Sequence, residues 1–164
     1  MSNVVFILGA GASAEGGAPV MSNFLDRARD LLASGEVNNF REAFEDVFRA
    51  IGRLQQVHSK AQLDLYNLES VFTVLELSGV IRRFPNLESN SGLDITESVG
   101  QTISYLKTLI VVTLEKCLPF DVRDGCLYPP HPYDKFAELI KELAGEGGSK
   151  RDVSVISFNY DCAM

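Results

Sequence analysis

The chain has 164 residues, of which 46% are hydrophobic and 23% charged, and its formal net charge is -7. This size and composition predict one globular domain with a buried core, and they exclude an intrinsically disordered chain. Direct binding of nucleic acid by this chain is not expected, because such binding needs a face rich in Lys and Arg and the sequence has no basic run of that kind.

The cysteines and the apolar runs indicate the compartment. Cys117, Cys126 and Cys162 form no CxxC pair and no even set, which argues against a disulfide framework and a cysteine-rich zinc site. We therefore predict no metal. The N-terminus lacks a basic segment followed by a long apolar stretch, and no apolar run is long enough to span a membrane. We expect a cytoplasmic protein without membrane contact.

Short apolar runs near the two ends of the chain predict two strands. Val4 to Leu8 ends abruptly at Gly9, and residues 153–158 (VSVISF) are followed by Asn159. Such runs are typical of strands that are buried on both faces of a parallel sheet. The order of strand, glycine loop, helices and strand predicts an α/β fold with a Rossmann-like, doubly wound parallel sheet.

Apolar residues at helical spacing predict four helices between residues 22 and 118, and a fifth after residue 132. Ser22 is the expected N-cap of the first helix, and Gly35 its end. We expect residues 119–132 to be irregular, and residues 22–118 to be a large helical insertion in a single domain, 1–164. The predicted core-facing stripes are Phe24, Leu25, Ala28, Leu31 and Leu32; Phe40, Phe44, Val47, Phe48, Ile51 and Leu54; Leu68, Val71, Phe72 and Leu75; Ile95, Val99, Ile103, Leu106, Ile110, Leu114 and Cys117; and Phe136, Leu139, Ile140 and Leu143.

A glycine-rich segment, GAGAS, follows the first predicted strand at residues 9–13. Small residues allow a sharp turn and a close approach of phosphate to backbone N–H groups, and the N-terminus of a following helix adds a partial positive charge. The segment does not match the strict dinucleotide-binding fingerprint GxGxxG, because the position of the third glycine is Ala14. No Gly-Lys-Ser/Thr follows either, so we do not expect a P-loop nucleotide hydrolase. Alternatively, the glycines serve packing alone.

Two motifs together resemble the SIR2-like family of NAD-binding domains. Residues 4–25 (VVFILGAGASAEGGAPVMSNFL) are similar to its opening of strand, GAG-x-S and Gly-x-Pro, and residues 153–161 (VSVISFNYD) to its strand and Asn-x-Asp loop. Residues 66–76 and 132–143 are similar, more weakly, to the helical insertions of SIR2-like proteins of bacterial defence systems. The alternative for residues 159–161 is a turn that ends a strand.

The resemblance implies a site for NAD. Asn159 would hold the nicotinamide ribose and position the attacking water, Asp161 would accept from the carboxamide, and both are candidate catalytic residues. Pro19 would shape the loop over the nicotinamide ribose, and residues 9–13 would cradle the diphosphate and the adjoining ribose. The full set of implied NAD-binding residues is Gly9, Ala10, Gly11, Ala12, Ser13, Pro19, Asn159 and Asp161.

The activity implied is cleavage of NAD to nicotinamide and ADP-ribose, in antiviral defence by NAD depletion. Nicotinamide is cationic in NAD and leaves as a neutral molecule, so a site that twists it and stabilises an oxocarbenium-like ribose accelerates its departure. Two alternatives stay open: an NAD-dependent protein deacylase, and a non-catalytic module that senses NAD or ADP-ribose.

The sequence departs from the family in two respects. It lacks the four-cysteine zinc module of sirtuin deacylases, which counts against the deacylase alternative. The family's base, a histidine, would follow the Asn-x-Asp loop, beyond residue 164. We therefore expect a domain that is incomplete at its C-terminus and can be inactive alone. We also expect further domains or subunits in the complete protein, with a homo-oligomer as one arrangement. His131 is a minor candidate for the base, and His58 is expected to solvate or cap a helix end.

Overall fold

A computed structural model of the chain describes residues 3–9, 11–57, 63–85, 94–118, 120–128, 131–145 and 152–159. The chain divides into two compact units. We call Met1–Val20 with Leu114–Met164 the strand unit, and Met21–Thr113 the helical unit. Strands and helices together confirm the mixed α/β class.

The elements follow one another in an order close to the predicted one. They are β1 (Val4–Leu8), α1 (Gly11–Ala14), α2 (Phe24–Ser34), a 3₁₀ turn (Asn38–Phe40), α3 (Arg41–Val57), α4 (Leu68–Ile81), α5 (Ile95–Cys117), β2 (Asp121–Arg123), β3 (Cys126–Tyr128), α6 (Tyr133–Ala144) and β4 (Val153–Ser157). Among the described residues, none of the helices has the length and hydropathy that a membrane span requires.

The strand unit contains a parallel pair of strands from opposite ends of the chain. β1 pairs with β4 in a register that sets Val4 opposite Val153 and Leu8 opposite Ser157. α6 covers one face of the pair, where the ring of Phe136 meets that of Phe6 edge-on, with 5.1 Å between the ring centroids. The topology is the one that the sequence predicts for these two strands.

One face of β1 is exposed, so the prediction that β1 is buried on both faces is wrong for the described residues. Side chains alternate between the two faces of a strand, and in β1 the alternation is between half-buried and exposed positions. Val5 is 54% exposed and Ile7 is 68% exposed. Among the described residues, the layer packed on β1 is α6, on the face that carries Phe6.

A single helical turn follows β1. α1 has four residues, and the N–H groups of Gly16 and Ala18 both donate to the carbonyl of Ser13, which folds the chain back on itself. The GAGAS segment therefore leads into a helical turn that it largely forms itself, and the next helix begins at Phe24. The first long helix begins after residue 22, as the sequence predicts, and the single turn of α1 is an additional element between the glycine loop and that helix.

A short antiparallel hairpin occupies part of the stretch that the sequence predicts to be irregular. β2 and β3 pair with Asp121 opposite Tyr128, and Asp124 and Gly125 form the turn with φ of 51° and 75°. Asp-Gly is a common pair in two-residue hairpin turns, so the signal was present in the sequence. α6 follows and ends at Gly145, whose φ is 105°.

The helical unit contains α2, α3, α4 and the greater part of α5. α2 ends at Gly35 in the left-handed conformation, as predicted, but its N-cap is Asn23 and not Ser22, because residues 21–23 form a turn before the helix. The best-buried apolar side chains, each at most 1% exposed, are Ala28, Val37, Phe44, Val47, Leu54, Val71, Leu75, Leu106 and Leu109. The bounds of this unit lie near those of the predicted insertion, 22–118, whose place within a larger domain stays a prediction.

The predicted apolar stripes match the buried faces of α2 and α4 better than those of the other helices. Phe40 is 44% exposed because it lies in the 3₁₀ turn before α3. On α5, Leu109 is fully buried whereas the predicted Ile110 is half-buried. Two threonines, Thr102 and Thr113, lie on the core face of α5. The predicted stripes omit them because they were drawn from apolar residues alone. Leu139 of α6 is 41% exposed.

Candidate functional site

The candidate site lies at the carboxyl ends of β1 and β4. Because these strands are parallel neighbours, the segments that follow Leu8 and Ser157 leave the sheet at the same edge. The backbone N–H of Phe158 donates to the carbonyl of Leu8 over 2.9 Å, which extends the pairing by one residue. Ligands of open α/β sheets bind at this kind of edge.

Side chains from both strand ends and from α6 are joined in a hydrogen-bonded chain. The amide Nδ2 of Asn159 donates to Oγ of Ser13 over 2.9 Å, although the two residues are 146 positions apart. The same Oγ lies 2.5 Å from the phenol oxygen of Tyr133. Ser13 is fully buried and Asn159 is half-buried. The two predicted motifs therefore meet through side chains as well as through their strands.

Tyr133 is the member of this site that the sequence does not reveal. Its ring is 6% exposed and packs with Ala18, Leu118 and the partly buried Phe120. A buried tyrosine hydroxyl usually has a hydrogen-bond partner, but the partner here lies 120 positions away. Nothing local in the segment around residue 133 identifies it.

Asn159 retains an unused acceptor. Its Oδ1 is buried and has no hydrogen-bond partner among the described residues. A buried polar atom without a partner costs about 1–3 kcal/mol, and such atoms are rare in folded proteins. An acceptor of this kind, at the ligand-binding edge of a parallel sheet, is suited to a donor that arrives with a ligand.

Gly9 and Gly11 have no role in packing within the described part of the chain. A Cβ added to either glycine would meet no atom within 4 Å, and neither has φ in the left-handed region. Gly17 differs, because its φ is 102° and an added Cβ would lie 2.7 Å from the carbonyl oxygen of Cys117. Gly17 lies outside the GAGAS segment, and the alternative that the glycines of that segment serve packing alone does not account for Gly9 and Gly11.

Of the other residues singled out from the sequence, the structure describes some and not others. The N–H of Ala12 donates to the carbonyl of Gly9 over 2.8 Å, which closes the turn after β1. Pro19 is buried next to Ala18. Ala10, Asp161 and His58 lie outside the described residues.

His131 forms a surface hydrogen bond with Asp134. Its Nδ1 lies 3.1 Å from Oδ1 of Asp134, and both side chains are more than half exposed. The backbone N–H of Lys135, which donates to the carboxylate, and then the bond from His131 hold the pKa of Asp134 below its usual value of 3.8. This pairing at the first turn of α6 accounts for His131 without a role as a base.

Comparison with models of known protein families, with curated proteins and with solved structures finds no match. Among the described residues, no group of three His, Cys, Asp or Glu side chains is placed to hold a metal ion. Function therefore has to be inferred from the residues at the strand ends and from their geometry.

Proposed function

We propose that the chain is a SIR2-like NAD hydrolase domain, which binds NAD at the carboxyl ends of β1 and β4 and cleaves it to nicotinamide and ADP-ribose. The observation that carries this proposal is the hydrogen bond between Asn159 and Ser13. These residues belong to the two motifs through which the sequence resembles the family. In this proposal β1 and β4 are neighbouring strands of a Rossmann-like, doubly wound sheet.

The chemistry of the strand ends supports NAD as the ligand. The backbone at Gly9 and Gly11 has open space where a side chain would otherwise stand, which allows a diphosphate to approach backbone N–H groups. The free Oδ1 of Asn159 can accept from a ribose hydroxyl or from a water molecule. Ala12 and Ser13 complete the cradle, Pro19 supports the loop behind it, and Ala10 and Asp161 keep the roles that the resemblance implies.

In the proposed reaction, water adds to C1′ of the nicotinamide ribose while the bond from C1′ to the nicotinamide nitrogen breaks. The electron pair of that bond goes to nicotinamide, which leaves neutral, and the proton lost by water passes to solvent or to a base. The Oδ1 dipole of Asn159 favours the positive charge that develops on the ribose, and it costs no reorganisation if the amide is already oriented. Asn159 is neutral, so it can do this without pairing with the ground-state cation.

Release of nicotinamide from NAD tests the proposal. Asn159→Ala should lower the rate by about 100-fold or more, as is typical for removal of one oriented dipole from a transition state. Asn39→Ala, which removes an exposed amide from the helical unit, should leave the rate unchanged. The assay uses the complete protein, with residues 1–164 alone beside it. Equal rates for the two variants, or no release by the complete protein, would contradict the proposal, whereas silence of residues 1–164 alone is the result expected of an incomplete site.

Two further outcomes distinguish the alternatives. Release that requires an acylated peptide would indicate a deacylase. Tight NAD binding with no turnover, unaffected by Asn159→Ala, would indicate a sensor of NAD or ADP-ribose.

We propose that the protein acts in antiviral defence by depleting NAD. We further propose that it does so in the cytoplasm, together with further domains or subunits of the complete protein. In a bacterial host that expresses the protein, cellular NAD should fall after phage infection. The fall should be absent with Asn159→Ala. A constant NAD level during a blocked infection would exclude this setting while leaving the enzymatic activity in place.

A further inference from the structure

The phenol of Tyr133 is the outer end of the hydrogen-bonded chain that runs through Ser13 to Asn159. We infer that Tyr133 is a positioning residue: acting through Ser13, it keeps the Asn159 amide turned so that Oδ1 faces the ligand side. The catalytic consequence rests on the proposed function, whereas the orientation of the amide does not.

Tyr133 is well suited to be the fixed end of this chain. Its ring is held in the cluster of Ala18, Leu118 and Phe120, and the hydroxyl moves only with the ring, since a tyrosine side chain has two torsions. It is also the first residue of α6, a regular helix. Asn159, by contrast, lies two residues beyond the end of β4. The hydrogen bonds therefore connect a packed side chain to one that lies beyond the end of its strand.

In this inference the Ser13 hydroxyl donates to the Tyr133 oxygen, one of the two directions that their 2.5 Å contact allows. A serine hydroxyl has one hydrogen to donate and can accept from other donors. If that hydrogen is donated to the Tyr133 oxygen, Ser13 has none left for Asn159, and only the NH₂ group of Asn159 can bond to it. The observed bond from Nδ2 of Asn159 to Oγ of Ser13 fits this arrangement, and Oδ1 remains without a partner among the described residues.

Without the Tyr133 hydroxyl, Ser13 would no longer bond only to the NH₂ group of Asn159. The Ser13 hydrogen would then be free to donate to Oδ1 of a turned amide, and Asn159 would present NH₂ to the ligand in place of oxygen. A donor at that position is unfavourable beside a ribose that becomes positively charged. The expected consequence is slower chemistry with little change in substrate affinity.

Nuclear magnetic resonance tests the orientation without reference to activity. In the ¹⁵N-labelled chain, the side-chain NH₂ signals of Asn159 are assigned by their loss in Asn159→Ala. Tyr133→Phe, which keeps the ring, and Ser13→Ala should both shift these signals and speed their exchange with water about tenfold. Tyr105→Phe is the matched control, because it removes a phenol bonded to Glu42 over 3.1 Å in the helical unit.

Signals that stay unchanged in Tyr133→Phe while they move in Ser13→Ala would overturn the inference. Signals that move equally in Tyr105→Phe would do so too, since the effect would then not be specific to the chain of hydrogen bonds. The backbone signals of each variant show whether it retains the fold.

Kinetics of nicotinamide release test the catalytic consequence. Tyr133→Phe should lower kcat about tenfold, the loss expected from one weakened interaction in the transition state, and change KM less than about twofold. The double variant Ser13→Ala/Tyr133→Phe should match Ser13→Ala alone, because both changes break the same connection. Additive losses would contradict a role exerted through Ser13.

The two measurements separate the two proposals. If the complete protein releases no nicotinamide, the proposed hydrolase function fails, and the NH₂ signals of Asn159 still decide whether Tyr133 orients the amide. If nicotinamide is released but Tyr133→Phe changes neither the NH₂ signals of Asn159 nor kcat, the hydrolase function stands and the positioning role of Tyr133 fails.

Discussion

Gly17 connects the turn after β1 to the end of α5 by a backbone approach that a side chain would block. Its φ of 102° and the 2.7 Å between an added Cβ and the Cys117 carbonyl oxygen both disfavour any other residue. We expect Gly17→Ala to lower the free energy of unfolding by about 1–3 kcal/mol, since a strained conformation of this kind costs that much. Urea denaturation measures the change.

Gly52 in α3 provides the matched control for Gly17. An added Cβ there meets no atom within 4 Å, and alanine is favoured over glycine within a helix by about 0.5–1 kcal/mol. Gly52→Ala should therefore raise the free energy of unfolding. Equal changes for the two variants would show that the Gly17 turn is not restrained as described.

The pKa of Asp134 gives a prediction for acid pH. The pKa is lowered in the folded chain by the Lys135 N–H and by His131, so the ionised carboxylate adds stability above its unfolded pKa. That contribution is lost as the pH falls below about 4 and through the lower folded pKa. The effect should be small because the group is exposed. In an NMR titration, His131→Ala should raise the pKa of Asp134, and an unchanged value would exclude the pair in solution.

At the level of single residues, the sequence predicts Ser13 and Asn159 but not Tyr133. The first two stand in short motifs that directly follow strands, so the parallel pairing of the strands is sufficient to bring them together. Tyr133 reaches the site only through the packing of α6 on the sheet and of its own ring on Leu118. Such contacts depend on the whole unit and leave no local pattern.

At the level of elements, α5 shows why an apolar pattern locates a buried helix face only in part. Thr102 and Thr113 are on that face, and they differ in their hydrogen bonds. Oγ1 of Thr102 donates to Asp46 over 2.8 Å. Oγ1 of Thr113 is buried without a partner among the described residues. The difference predicts opposite effects for the same substitution.

Thr113→Val should raise the free energy of unfolding by about 1 kcal/mol, because it removes a buried hydroxyl without a partner and keeps the shape of the side chain. Thr102→Val should lower it by about 1–3 kcal/mol, because it breaks a hydrogen bond to a carboxylate. Thermal or urea unfolding of the pair measures both. A loss of stability in Thr113→Val comparable to that in Thr102→Val would show that the Thr113 hydroxyl has a partner in solution.

At the level of the whole molecule, the sequence predicts the α/β class and the parallel arrangement of β1 and β4, because both depend on short apolar runs and their order. It does not predict which faces are covered. Burial on both faces is inferred from the apolar character of Val5 and Ile7, yet both are more than half exposed. The apolar side chains of a strand show that it can be buried. Whether they are exposed depends on the layers that pack against the strand.

The division into two units predicts which residues bound NAD should protect from amide hydrogen exchange. The proposed site is made by residues of the strand unit alone, namely the β1–α1 turn, the start of α6 and the end of β4. A ligand stabilises the state that binds it, by about 2.7 kcal/mol at a concentration 100 times its Kd. Saturating NAD should therefore slow amide hydrogen exchange in residues 3–18, 131–145 and 152–159 more than in residues 21–113. Asn159→Ala should reduce this protection, and protection centred on the helical unit would exclude the strand ends as the NAD site.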